Sequence, residues 1–98
     1  MFPKLDPLLH SELRLAVMSI LIEVGEADFT YLKKQTGATS GNLSVQIDKL
    51  AAANYITVEK AFKGKMPHTT CKITQAGREA FSNYVDALKE YLYSSNTT

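Results

Sequence analysis

Ninety-eight residues, 45% of them hydrophobic, suffice for one compact domain, 1–98, and leave no room for a second. A lone cysteine, Cys71, excludes an internal disulfide and a cysteine-cluster metal site; no apolar run approaches the roughly 18 residues of a membrane span and no leader pattern opens the chain, so it reads as cytoplasmic. The net charge of +1 conceals a basic middle, since residues 29–78 hold eight basic against two acidic residues while both flanks are acidic, a pattern suited to a polyanion-facing centre between ends with another task.

Residues 1–9, "MFPKLDPLL", carry two prolines and read as an extended lead-in whose Leu5, Leu8 and Leu9 require an apolar surface. Ser11 stands as N-cap of a first helix, "ELRLAVMSILIEV", with Leu13, Val17, Ile20, Leu21 and Val24 on one stripe and Leu15, Met18 and Ile22 on another. A helix apolar on most of its perimeter is central to its domain or also meets another subunit. Gly25 ends it. Thr30 caps a short second helix, "YLKKQT", with Phe29 and Leu32 inward, and Gly37 supplies a left-handed turn. Thr39 then caps a third helix in which Leu43, Ile47 and Leu50 recur at helical spacing, and Asn54 closes it.

The outer face of that third helix holds Ser40, Gly41, Asn42, Ser44, Val45, Asp48 and Lys49. Surface helices ordinarily carry long charged side chains there, which favour helix and solubility. Here the face is cut back, as if to let something approach.

Beyond Asn54 the period changes to two. Ile56, Val58 and Phe62 alternate with polar residues, Cys71 and Ile73 do so on the return, and "KGKMP" between them makes a hairpin tipped by Lys63 and Lys65. Cys71 is core filler in this strand. Thr74 caps a last helix whose stripe is Phe81, Tyr84, Val85, Leu88 and Leu92; residues 93–98 read as a flexible polar tail. His10 and His68 lack a second ligand at metal spacing and read as surface residues.

Two short helices joined by a glycine turn, the second with a short-chained face and followed by a basic-tipped hairpin, match a winged helix-turn-helix: a mainly α fold with a small β-hairpin. Small residues at Ser40, Gly41 and Ser44 let the helix N-terminus approach a phosphate, and the Asn42 amide supplies a donor and an acceptor.

At this point the chain resembles the winged helix-turn-helix regulators related to the MarR and ArsR groups, particularly the small single-domain "winged helix DNA-binding domain" members. The resemblance lies in "TGATSGNLSVQIDKLAAANYITVEKAFKGKMPHTTCKITQAGREAF", where "GNLS", "K.F.GK.P.T" and "T..GR.AF" occur in the family's order and spacing. Gln46, Ala52 and Asn54 depart from the histidine, glutamate and glycine frequent in related sequences, and Val45 stands where many have arginine. The resemblance implies a homodimeric cytoplasmic transcription regulator, a repressor acting on an inverted-repeat operator in double-stranded DNA, with no catalytic residues, no cofactor and no metal. The DNA-facing set is then Thr30, Thr39, Ser40, Gly41, Asn42, Ser44, Val45 and Lys49 with Lys63, Gly64 and Lys65 in the wing. Segments 1–24 and 76–92 would dimerise, through Leu13, Val17, Phe81, Tyr84, Val85, Leu88 and Leu92, the last helix being an added dimerisation helix. The alternative is a winged helix used as a protein-interaction module without specific DNA binding; an effector ligand is left open.

Overall fold

In the computed structural model, which describes residues 2–93, the chain runs α1 (Glu12–Val24), β1 (Glu26–Asp28), α2 (Phe29–Thr36), α3 (Ser40–Ala52), β2 (Ile56–Lys63), β3 (Met66–Ile73) and α4 (Gln75–Tyr93). The strands form one antiparallel sheet in the order β1-β3-β2. β1 is an addition to the expected hairpin: Glu26, Ala27 and Asp28 pair with Lys72, Cys71 and Thr70, so that β3 lies between two partners.

Local chemistry sets most of the boundaries. Gly25, at φ 84°, ends α1, and Gly37, at φ 71° in the left-handed region, ends α2; Asn54, at φ 63°, follows α3. Thr39 Oγ1 accepts from Asn42 N at 3.2 Å, and Thr74 Oγ1 accepts from Gly77 N at 2.9 Å. Ser11 is the N-cap of α1 in position only, since its hydroxyl makes no capping bond. The cap of α2 is Asp28, whose carboxylate accepts from Tyr31 N at 2.7 Å, not Thr30. Asp28 ends β1 with extended backbone, the conformation an N-cap requires, while Thr30 already lies inside the helix.

The core comprises Leu9, Val17, Met18, Leu21, Leu32, Leu43, Ile47, Leu50, Ile56, Cys71, Ile73 and Tyr84. Each fully buried leucine contributes about 2 kcal/mol. The buried face of α1, Val17, Met18 and Leu21, draws on both of its apolar stripes, and Val24 at its end is 50% exposed. The lead-in is a turn rather than an extended arm near its end: Asp6 O accepts from Leu9 N and His10 N, and Asp6 Oδ1 from Leu8 N, which folds Leu9 into the core. Phe62 was expected to point inward and is 74% exposed. It lies on the same face of β2 as Ile56 and Val58, but about 20 Å along the strand from Ile56, past the end of the helices it would have packed on.

The lead-in also straps α4. The Phe2 ring stacks on Tyr91 with centroids 4.8 Å apart, Tyr91 Oη donates to Pro3 O, and His10 Nδ1 shares a hydrogen bond of 2.9 Å with Tyr84 Oη. Tyr93, expected in the tail, is the last residue of α4; residues 94–98 lie outside the described residues.

Candidate nucleic-acid interface

The three-residue turn Gly37–Thr39 sets α3 against α2, with Leu43, Ile47 and Leu50 buried and the opposite face open. Thr39, Ser40, Gly41, Asn42, Ser44 and Lys49 are all exposed, and Val45 is 49% exposed. One continuous surface therefore carries the whole short-chained set. Thr30 is exposed on α2, where Lys33 and Lys34 in the last turn add positive charge that sequence reasoning did not assign to the site. Gly41 has ordinary helical φ, and a Cβ built on it would meet nothing within 4 Å. Glycine inside a helix costs about 1 kcal/mol relative to alanine, and no neighbour within the chain calls for it here.

The wing is the β2–β3 hairpin, paired from Ile56↔Ile73 out to Lys63↔Met66. Gly64 and Lys65 form its two-residue turn, and Gly64 takes φ 63°, a positive φ suited to a tight hairpin. Lys63, Gly64 and Lys65 are exposed, with no core nearby. Beside them stand Phe62 and Met66, 74% and 70% exposed, so the tip is both cationic and apolar.

A second surface follows α4. Leu92 is 61% exposed, and Phe81, Val85 and Leu88 are half-buried. Leu13, half-buried on α1, instead lines a cleft with Ala16, Ala38, Asn42 and Gln46, beside α3. Val17 and Tyr84 do not belong to the α4 surface either. Val17 has no exposed surface and Tyr84 retains 5%, because both pack in the protomer's own core, Tyr84 with its hydroxyl on His10. An apolar stripe in the sequence does not distinguish a chain's own core from a partner's.

Two titratable groups are displaced. The Tyr55 hydroxyl donates to Asp6 Oδ2 at 2.5 Å, and this hydrogen bond, with burial and the carboxylate's charge, holds the phenol up at about 12. Burial alone pushes the Cys71 thiol up to about 11. Neither group lies on the exposed face of α3. Among the described residues no three His, Cys, Asp or Glu side chains gather as metal ligands would, and no helix is long and apolar enough to cross a membrane.

The chain is 34% identical over 77 residues to an uncharacterised protein of Methanocaldococcus jannaschii, an alignment covering 78% of this chain and 83% of that one. Its fold matches the structure of a transcriptional regulator homologue from Pyrococcus horikoshii OT3 with a TM-score of 0.82 at 26% identity, over 89% of this chain and 86% of the other. A MepR-like protein, solved with pseudoligands, shares the fold with a TM-score of 0.74 at 16% identity, over 87% of this chain and 59% of that one. The sequence profile of the winged helix DNA-binding domain covers residues 13–92, from the first turn of α1 to the last turn of α4, and the chain belongs to that family, whose company is transcriptional regulators and not enzymes.

Proposed function

We propose that the protein is a sequence-specific transcription regulator, a repressor, that binds double-stranded DNA as a homodimer, with α3 in the major groove and the hairpin wing on the flanking backbone. The observation that carries the reading is the open face of α3: Gly41 weakens an exposed helix that nothing in the chain obliges it to occupy, at the position where a phosphate would approach the free N–H groups of the first turn. The lysines of α2, α3 and the wing supply the sequence-independent attraction to phosphate. Leu92, Leu88 and their neighbours on α4 supply the surface for the second protomer. A protein-interaction module would not require cations at both helix and wing.

Selection from a random duplex pool tests this. The expected product is an inverted repeat with half-site centres about one helical turn, roughly 34 Å, apart. Asn42→Ala should cost about 1–3 kcal/mol on the selected duplex and much less on random DNA. Failure to enrich any duplex at low salt would remove the DNA reading and favour the protein-interaction module.

A further inference from the structure

A chain of hydrogen bonds runs from the lead-in to the face of α3. Arg14 donates through Nε to Leu8 O and through Nη1 to Gln46 Oε1, and Gln46 Nε2 donates to Asn42 Oδ1 at 2.9 Å. Guanidinium is donor-only, so the end of the Gln46 amide that faces Arg14 must be its oxygen. The nitrogen then faces Asn42, and the end of the Asn42 amide that faces Gln46 must be its oxygen in turn. The exposed end of Asn42 is thereby the NH2 group. Arg14 and Gln46 are half-buried, so water competes less for their bonds than at the exposed Asn42.

We infer that Arg14 and Gln46 are positioning residues that fix the polarity of Asn42, so that Asn42 meets the major groove as a hydrogen-bond donor. This rests on the DNA-binding reading above and adds the class of base edge to it. A donor suits guanine O6 and N7, adenine N7 or thymine O4, whereas cytosine offers only its N4 amino group, another donor. An asparagine free to turn could serve either edge. The relay removes that freedom.

Gln46→Glu inverts the device. A carboxylate still accepts from Arg14 but has no N–H for Asn42, so the Asn42 NH2 turns inward to donate to it and Oδ1 turns outward. At the base pair Asn42 contacts, preference should move from guanine or thymine to cytosine on the same strand, adenine being compatible with both orientations through N7 or N6. The experiment determines the full base preference of the wild type and of Gln46→Glu by selection from a random duplex pool, with a thermal melt of each protein. A switch confined to one base pair per half-site, about tenfold in relative affinity, is expected. Arg14→Met should blunt the preference at that pair without reversing it.

An unchanged preference in Gln46→Glu, with the fold intact, would overturn the relay while leaving the DNA reading untouched. A loss equal on selected and random duplexes would also overturn it, by assigning Asn42 to a phosphate. If Gln46→Glu does not fold, Asn42→Asp decides: its outward oxygen should likewise favour cytosine, and retained preference for guanine or thymine over cytosine would sink the proposal. A wild type that selects no duplex would remove relay and DNA reading together.

Discussion

At the junction between the sheet and α4, Gly77 is fixed by space and not by its backbone angle. A Cβ there would stand 2.1 Å from Tyr55 O, and that carbonyl already accepts from Thr74 N and Thr74 Oγ1. The backbone cannot retreat without breaking the cap of α4. Gly77→Ala should therefore cost about 3 kcal/mol, seen as a lowered melting temperature, whereas Gly41→Ala should leave stability unchanged or slightly raised. Tyr55 offers a second test. Its phenol sits near 10.0 when unperturbed and at about 12 in the fold, so the folded state holds the proton more tightly than the unfolded one. The resulting stability is fully present below pH 10 and is lost as pH rises towards 12. Tyr55→Phe should flatten that part of a melting temperature against pH curve.

Among the elements, the wing lends itself most directly to measurement. Lys65 occupies a two-residue turn where it supports no core, so its removal should be silent in a thermal melt. On DNA, Lys65→Ala should reduce the slope of log affinity against log salt by about 0.9 per protomer, about 1.8 per dimer, equally on selected and random duplexes. An unchanged slope would mean that the wing points away from DNA. Helix ends and turns were legible in the sequence because each rests on one residue's chemistry: the hydroxyls of Thr39 and Thr74, the left-handed tolerance of Gly37 and Asn54. β1 was not legible, since three residues are too few to show a period. Asp28 was overlooked for Thr30 because the strand that holds Asp28 extended was itself unseen. Alternation placed Phe62 on the correct face of β2 but carries no information on where the helices beneath it stop. The relay from Arg14 to Gln46 joins residues 32 apart in sequence, and only the fold brings them together.

As a whole the molecule is elongated, 61 × 25 × 21 Å, with a radius of gyration of 15.2 Å against about 12.6 Å for a compact chain of this length. The excess comes from the protruding wing and from α4, 19 residues and about 28 Å long, of which only Gly77 and Tyr84 are buried. The lead-in and the core hold part of its length through Tyr84, Phe81, Leu88 and Tyr91, and the proposed second protomer would cover the apolar surface that they leave open. Leu92 is the informative site because it is exposed in the protomer: Leu92→Asp should turn a sedimenting dimer into a monomer with an unaltered circular dichroism spectrum, and a monomeric wild type at micromolar concentration would refute the dimer. Finally, Cys71 sits on the middle strand with no exposed surface and its thiolate form suppressed, packed in the core with residues of α1 and α2, so an alkylating reagent can reach it only when the helices part from that face of the sheet. The chain thus carries a built-in clock for its own opening. Any duplex or second protomer that binds only the closed form slows that clock in proportion to its occupancy, and one unmodified thiol reports stability, assembly and DNA binding on a single time axis.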